Sequence, residues 1–201
     1  MDKALSLFGP HTAQWFESCV GQPTRVQAEG WPAIARGETA LIAAPTGTGK
    51  TLTAFLWFID RLTGLAARGA LEEKTYVLYI SPLKALGNDI EANLRRPLAG
   101  IAARMAQSGL APQEIRVAVR NGDTPPAERR ALLRHPAHIL ITTPESLYLF
   151  LSTEAGRALL GGVVGGCSAF LGAKQWPVGL RLLAFLGPVA ACALGVLLFL
   201  R

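Results

Sequence analysis

The sequence predicts an α/β fold in which helices cover both faces of a parallel sheet. Short apolar runs, partly of β-branched residues, alternate along the chain with longer segments whose apolar side chains recur at helical spacing. Strands that alternate with helices in this way favour a parallel sheet. The chain has 201 residues, which is enough for one domain of ordinary size and a tail.

Short segments in four places are predicted as strands. They cover residues 39–43, 76–80, 115–119 and 139–142. The third alternates with a period of two, with Arg116 and Ala118 between larger apolar side chains, whereas the others are apolar runs typical of buried strands. These segments supply the predicted sheet.

Helices are predicted between and after these strands. Apolar side chains recur at helical spacing over residues 50–68, beginning with Leu52 and Phe55. Further helices are predicted over residues 88–105, 126–134 and 145–151. Pro97 marks a point where the first of these could break, whereas Pro126 suits the first position of the next helix.

Charge and cysteine content restrict the function only loosely. The net charge is +6, which suits a polyanionic partner, although proteins without such a partner often carry a surplus of this size. Cys19, Cys167 and Cys192 lie far apart, without the spacing of metal ligands. Inert thiols in a reducing cytosol are therefore expected. The start of the chain has no apolar signal peptide, so a cytoplasmic location is expected.

The most informative motif follows the first predicted strand. Residues 44–51 have the sequence APTGTGKT, which matches the phosphate-binding loop except that Ala44 replaces the usual first glycine. Glycines allow a tight turn whose backbone N–H groups point at phosphate oxygens, and the following helix adds the positive end of its dipole. Lys50 can reach the outer phosphates of a nucleotide, and the Thr51 hydroxyl can ligate Mg²⁺. The predicted contacts in this loop are Thr46, Gly47, Thr48, Gly49, Lys50 and Thr51.

A glutamine upstream of this loop is a candidate for recognising the nucleotide base. Residues 23–27 have the sequence PTRVQ, and an exposed glutamine in the first turn of a helix is the simpler interpretation of Gln27. A glutamine amide has the donor and the acceptor needed to recognise an adenine edge. Trp15 or Phe16 could stack on the base, but packing in the core is the stronger expectation for both.

Three further motifs follow the later strands, where open α/β sheets place their sites. They are SPLKAL at residues 81–86, NGDT at residues 121–124 and TTPESL at residues 142–147. With the phosphate-binding loop and the glutamine, they resemble the ordered motifs of the first motor domain of superfamily-2 DEAD/DEAH-box ATP-dependent helicases. Together with WPAIA at residues 31–35, their wording is most similar to the large helicase-related, or Lhr-type, branch. The resemblance covers about residues 8–160.

The resemblance implies a fold, cofactors and a partner. The implied fold is a RecA-like (P-loop NTPase) parallel sheet with helices on both faces. The implied cofactors are ATP, whose adenine Gln27 would recognise, and Mg²⁺, which Thr51 would hold through ATP. The implied partner is single-stranded DNA or RNA, which the loops would hold by its phosphates. The implied nucleic-acid contacts are Pro82, Lys84, Gly122, Asp123, Thr142, Thr143 and Pro144.

The chain departs from the family pattern after about residue 160. The next element should be a strand ending in Asp-Glu-x-His, whose carboxylates position Mg²⁺ and the attacking water. Residues 163–170 instead have the sequence VVGGCSAF, and no aspartate or glutamate follows Glu154. The expected organisation is a partial ATP-binding domain over residues 1–160 and an aberrant apolar tail over residues 161–201. A shift of the reading frame near residue 162 is the hypothesis for its origin.

The expected function is that of an ATP- and nucleic-acid-binding helicase fragment that lacks ATPase and helicase activity of its own. The DExH motif and a second motor domain are missing from these residues, so no catalytic residue is predicted, and no oligomer is inferred.

The alternative is a membrane-tethered nucleotide-binding module without catalysis. Residues 182–200 contain no charge and are flanked by Arg181 and Arg201. At ~1.5 Å per residue, a helix of this length would span most of a ~30 Å hydrocarbon core. The competing interpretation is an unselected apolar segment that only mimics a span, and membrane fractionation would separate the two.

Overall fold

The computed structural model describes residues 3–38, 40–164, 180–183 and 196–200, with side chains up to residue 160. Its contacts divide the chain into two compact units. The first unit comprises Met1–Leu71 and Ala92–Ile115, and the second comprises Glu72–Glu91 and Arg116–Arg201. The phosphate-binding loop belongs to the first unit, and the three later motifs belong to the second.

The first unit is built from helices. They are a 3-10 turn at Leu5–Leu7, α1 (Pro10–Cys19), α2 (Arg25–Ala35), α3 (Lys50–Ala67) and, from Ala92 onward, α4 (Lys84–Gln107). The helix predicted over residues 50–68 is confirmed as α3. α4 begins four residues earlier than predicted and continues through Pro97, so the proline does not break it.

Aromatic side chains fill the centre of the first unit. Trp31 and Phe16 are fully buried, and the rings of Phe8 and Phe16 meet Trp31 edge-on, with centroids 4.8 and 5.3 Å from the Trp31 ring. Such edge-to-face geometry matches the positive edge of one ring to the negative face of the next. Trp15 is buried as well. Trp15 and Phe16 therefore belong to the core, as the packing interpretation predicts.

A glycine lets α2 approach α3 closely. A Cβ on Gly30 would lie only 2.7 Å from Thr53 Cγ2, so any larger residue would push the helices apart. This packing brings the start of α2, which carries Gln27, next to the loop that precedes α3.

The second unit contains a sheet whose described strands have the order β2-β3-β1-β5-β4. The strands are β1 (Val77–Ile80), β2 (Val117–Arg120), β3 (Ile139–Thr142), β4 (Leu180–Leu183) and β5 (Val196–Leu200). β1, β2 and β3 are parallel, whereas β5 pairs antiparallel with β1 and with β4. Ile80 and Arg120 both lie level with Thr142, so the carboxyl ends of the three parallel strands meet at one edge.

Helices cover both faces of this sheet, which confirms the predicted α/β class. They are α5 (Pro126–Arg134), α6 (Pro144–Ser152), α7 (Glu154–Val164) and the first part of α4. On one face Leu78, Ile80 and Leu140 pack with apolar side chains of α6 and α7, among them Phe150. On the other face a Cβ on Gly87 of α4 would lie 3.3 Å from Ile141 Cγ2.

The first predicted strand, over residues 39–43, is wrong where the structure describes it. Residues 40–45 form neither helix nor strand, and Thr39 lies outside the described residues. Leu41 is 70% exposed, whereas Ile42 is 6% exposed. A strand exists only when a neighbour completes its hydrogen-bond ladder, and β1 already pairs with β3 on one edge and β5 on the other. An apolar run by itself is therefore not sufficient to predict a strand.

The tail also differs from the expected helix over residues 182–200. Residues 182–183 and 196–200 lie in β4 and β5, and the residues between them lie outside the described part of the chain. Short apolar runs without a helical period are ambiguous between helix and strand, and here the edge of β1 supplies backbone partners for β5. Within the described residues, no helix is both long enough and apolar enough to cross a membrane.

The segment at residues 163–166, where the family pattern places a strand, also differs. Val163 and Val164 are the last residues of α7, and residues 165–166 lie outside the described part of the chain. The valines extend the helix that begins at Glu154 instead of forming the strand.

Candidate functional site

The phosphate-binding loop has the backbone geometry that its glycines predict. Gly47 and Gly49 have φ values of +81° and +84°, in the left-handed region that side chains with a Cβ rarely adopt. Gly49 is also the N-cap of α3, and its carbonyl accepts a hydrogen bond from the Thr53 hydroxyl at 3.0 Å. The first free N–H groups of α3 therefore begin directly at the end of the loop.

Lys50 folds back onto its own loop. Its Nζ donates hydrogen bonds to the carbonyl oxygens of Ala44 and Pro45, the latter at 2.8 Å. The Thr48 hydroxyl donates to the same Pro45 oxygen at 2.8 Å. To bind a phosphate group, the Lys50 ammonium would have to break its hydrogen bonds to these two carbonyls. An anionic oxygen is a stronger partner for an ammonium than a neutral carbonyl, so the exchange is favourable.

The two remaining threonines of the loop differ in exposure. Thr46 is exposed, and Thr51 is half-buried in the first turn of α3. The Thr51 hydroxyl makes no hydrogen bond among the described residues. It is therefore available as a ligand, as the prediction for Mg²⁺ requires.

Gln27 lies against the loop, but it is buried instead of exposed. Its side chain is 1% exposed and forms a capping box with Thr24: Gln27 N donates to Thr24 Oγ1, and Thr24 N donates to Gln27 Oε1 at 2.9 Å. A Cβ on Gly49 would lie 2.5 Å from Gln27 Nε2. Thr24 Oγ1 in turn donates to the Thr48 carbonyl at 3.0 Å. The simpler interpretation, an exposed structural glutamine, is wrong, and recognition of adenine by Gln27 stays a prediction.

The second unit brings together residues from two of the later motifs. Lys84 Nζ lies 2.7 Å from Asp123 Oδ1, and the two side chains are 52% and 72% exposed. A Cβ on Gly122 would lie 3.5 Å from Lys84 Nζ, so the loop backbone is also close to the ammonium. Pro82 is exposed at the start of the same turn.

The loop at residues 121–124 is held by its own polar groups. Asn121 N donates to Thr124 Oγ1, and Asp123 N donates to Asn121 Oδ1, both at 2.9 Å. Arg129 of α5 fastens the loop from outside, since it donates to the carbonyls of Thr124 at 2.7 Å and Gly122 at 2.6 Å. The motifs do not include Arg129, and no signal in the sequence distinguishes it from its exposed neighbours on α5.

In the motif at residues 142–147, the two threonines predicted to contact nucleic acid are buried. Thr142 and Thr143 are 1% and 5% exposed. The Thr142 hydroxyl donates to the Arg120 carbonyl at 2.7 Å, and Thr143 Oγ1 accepts from Ser146 N as the N-cap of α6, which Pro144 opens. Both hydroxyls are thus used within the protein. What the motif leaves for a ligand is mainly its backbone and the start of α6.

Two charged side chains lie at this motif: Glu145, which belongs to it, and Arg120, which is level with Thr142 on the neighbouring strand. The pKa of the exposed Glu145 carboxyl is lowered by a hydrogen bond from the backbone N–H of Glu145, by the Thr143 hydroxyl and by the charge of Lys84. Lys84 therefore lies in the field of two carboxylates, Asp123 and Glu145. Burial, together with the charge of Arg129, lowers the pKa of half-buried Arg120.

Metal binding by a cluster of side chains is not indicated in the described residues. No group of three or more histidine, cysteine, aspartate or glutamate side chains converges there. A metal ion at the loop would therefore depend on Thr51 and on the phosphates of a bound nucleotide.

Comparison with known proteins identifies relatives of the whole motif region. The DEAD/DEAH box helicase model matches residues 24–164. The Lhr helicase/probable uracil glycosylase of Mycolicibacterium smegmatis is 50% identical over 155 residues, and the Lhr helicase/uracil glycosylase of Escherichia coli is 50% identical over 159 residues. Each match covers 77% of this chain and 10% of the relative. The chain thus spans about a tenth of the length of these curated relatives.

Solved structures agree with these relatives. A structure of Mycobacterium smegmatis helicase Lhr bound to ssDNA and AMP-PNP matches with a TM-score of 0.73 and 48% identity, over 79% of this chain and 20% of that one. A structure of the DUF1998 helicase MrfA bound to DNA and AMPPNP matches with a TM-score of 0.61 and 20% identity, over 80% of this chain and 20% of that one. At this identity the match shows a shared fold alone. The described α/β architecture is thus RecA-like. Because the family model covers the phosphate-binding loop and all three later motifs, this chain belongs to the DEAD/DEAH box helicase family, and its relatives show that it is similar to Lhr-type helicases.

Proposed function

We propose that this chain is an ATP- and single-stranded nucleic-acid-binding segment of an Lhr-type helicase, and that on its own it binds MgATP without turning it over. The observation that carries the proposal is the loop before α3. Two left-handed glycines shape it, and the N-terminus of α3 follows it. Among the described residues, Lys50 donates only to carbonyls of the loop itself.

The nucleotide is assigned to the first unit. Lys50 exchanges its two carbonyl partners for the outer phosphates, and the backbone N–H groups around Gly47 and Gly49 hold the others. The Gln27 amide nitrogen lies against Gly49, so a nucleotide bound by the loop would lie close to this amide. ATP as the ligand is supported by the AMP-PNP in the related Lhr structure.

Mg²⁺ fits the loop through Thr51. Its half-buried hydroxyl has no hydrogen bond among the described residues and sits in the first turn of α3. Thr51 would hold such an ion beside a bound ATP, where it would supply positive charge against the phosphates.

The nucleic-acid strand is assigned to the second unit. Lys84 and the backbone of Gly122 lie beside one another at the carboxyl edge of the parallel strands, and the start of α6 follows β3 at the same edge. These groups suit phosphates better than bases, which predicts affinity with little dependence on sequence. The ssDNA in the related Lhr structure supports this assignment.

The absence of turnover is proposed from the carboxylates. Hydrolysis needs a carboxylate that orients Mg²⁺ and an attacking water, and the sequence offers none after Glu154. Asp123 is paired with Lys84, and Glu145 is an exposed residue at the start of α6. Binding without stabilisation of the transition state gives no catalysis.

A nucleotide-binding measurement tests the assignment of the loop. Lys50→Ala should weaken the binding of a fluorescent ATP analogue to the 201-residue chain by about 1.5–3 kcal/mol, since it removes a charged hydrogen bond to phosphate. Lys3→Ala, which removes an exposed lysine of the same unit, is the matched control and should bind like the wild type. Equal affinities of the wild type and Lys50→Ala would refute the assignment.

A further inference from the structure

Arg120 is a cation at the carboxyl edge of the sheet that none of the linear motifs contains. It is the last residue of β2, and it lies level with Thr142 of β3, whose hydroxyl donates to its carbonyl at 2.7 Å. Its guanidinium carbon lies 4.7 Å from the centre of the Phe150 ring, so one face of the group is covered. The side chain is half-buried, and the remainder faces the surface.

The guanidinium has no counter-charge in the part of the chain that the structure describes. Within the described residues no carboxylate pairs with Arg120, whereas Lys84 is paired with Asp123 and Arg116 with Glu73. Its one hydrogen bond there is long, 3.4 Å from Nη1 to Ser146 Oγ, and the other N–H donors have no described partner. Burial lowers the pKa of Arg120, and the positive charge of Arg129 lowers it further.

A half-buried guanidinium without an acid is unfavourable in the free protein and favourable once an oxyanion arrives. Its planar fork matches the oxygens of a phosphate, which can accept two parallel N–H bonds. The adjoining start of α6, with Ser146 and Thr143, favours negative charge as well.

We propose that Arg120 binds a phosphate of the nucleic-acid strand, as an anchor separate from Lys84 at the junction of β2, β3 and α6. The inference rests on the proposed function, because it assumes that the strand crosses this edge of the sheet. The oxyanion that the guanidinium recognises is the same in a nucleic-acid backbone and in free inorganic phosphate, so both are tested.

The first test measures affinity for a fluorescently labelled oligothymidine with the 201-residue chain. Arg120→Gln should lower the affinity about tenfold or more, as expected for the loss of a charged hydrogen-bonded contact. Arg130→Gln, which removes an exposed arginine of α5 in the same unit, is the matched control and should change affinity by less than about twofold. Arg120→Lys should fall between the two, because it keeps the charge but loses the fork.

The second test uses inorganic phosphate as the probe and thermal melting as the readout, at constant ionic strength. Phosphate should raise the melting temperature of the wild type and of Arg130→Gln by the same amount, and that of Arg120→Gln by less. Stabilisation by phosphate without any effect of Arg120 on oligonucleotide affinity would assign the site to free phosphate and overturn the proposal.

Several results separate the inference from its premise. If the wild type binds the oligonucleotide and Arg120→Gln matches Arg130→Gln, the anchor is wrong but the proposed function stands. If the wild type does not bind the oligonucleotide, both fail. If Arg120→Gln does not fold, Arg120→Lys decides: affinity equal to that of the wild type overturns the fork contact, and reduced affinity supports it.

Discussion

Replacing Asp123 by asparagine is expected to strengthen the binding of single-stranded nucleic acid, although Asp123 belongs to a nucleic-acid motif. Asp123 Oδ1 lies 2.7 Å from Lys84 Nζ. The carboxylate is therefore already paired with the ammonium group that a phosphate would contact. A phosphate must displace Asp123 or approach against its charge. The neutral amide removes the charge and leaves only a weaker, uncharged hydrogen-bond acceptor for Lys84.

The exposure of the pair determines the size of the effect. Because the side chains are 52% and 72% exposed, the pair belongs to the surface class that contributes about 0.2–1 kcal/mol. At about 1.4 kcal/mol per tenfold change, the upper value corresponds to roughly fivefold in affinity. The freed lysine adds one phosphate contact, so the slope of log K against log salt concentration should steepen by about 0.7 for a single strand.

Fluorescence anisotropy of a labelled oligothymidine, titrated at several salt concentrations, measures both quantities. Asp89→Asn is the matched control, because Asp89 is exposed on α4 in the same unit and makes no ion pair among the described residues. Both variants change the net charge equally, so only Asp123→Asn should show the larger gain. Weaker binding by Asp123→Asn, or a gain no larger than that of Asp89→Asn, would show that Asp123 positions Lys84 and does not compete with phosphate for it.

Further predictions address the loop, the salt dependence and the tail. Gly49→Ala should abolish nucleotide binding, because alanine is strained at φ +84° and its Cβ would lie 2.5 Å from Gln27 Nε2. Gly69→Ala, at φ +64° with nothing within 4 Å of its Cβ, is the control, and equal loss of binding in both would contradict the close approach. Nucleic-acid binding should be weak and fall steeply with salt; the same affinity at low and high salt would exclude phosphate contacts as its source. The codons after about residue 162, translated in another frame, should encode an Asp-Glu-x-His motif, and its absence would rule out the frameshift hypothesis.

Local patterns were sufficient to predict most of the parallel sheet and its helices. β1 and β3 are buried along their whole length, which is why each appears in the sequence as a mostly apolar run. α5 has the predicted bounds, since Pro126 determines its start from within the segment. These features depend on residues next to one another in the chain.

Features that depend on distant partners were not predictable in the same way. Whether residues 40–43 form a strand depends on a neighbour that completes the ladder, and the apolar residues do not specify one. Residues 196–200 form a strand because the edge of β1 pairs with them, although the same apolar run is compatible with a helix.

The candidate site shows the same division. The motifs identify the loops, because glycine, lysine and threonine spacing is a local property. They do not reveal that Lys84 pairs with Asp123, 39 residues away, or that Gln27 is buried in a capping box. Arg120 has no sequence signal at all, because its surroundings are created by Ser146 and Phe150 on a later helix.

Phosphate release from ATP by the 201-residue chain, with and without single-stranded DNA, decides whether the chain hydrolyses the ATP that it binds. We predict binding of ATP but no release above that of Lys50→Ala, whose measurement accounts for contaminating ATPases. DNA-stimulated release that disappears in Lys50→Ala would contradict the account, because it would require a catalytic carboxylate among residues assigned here to other contacts.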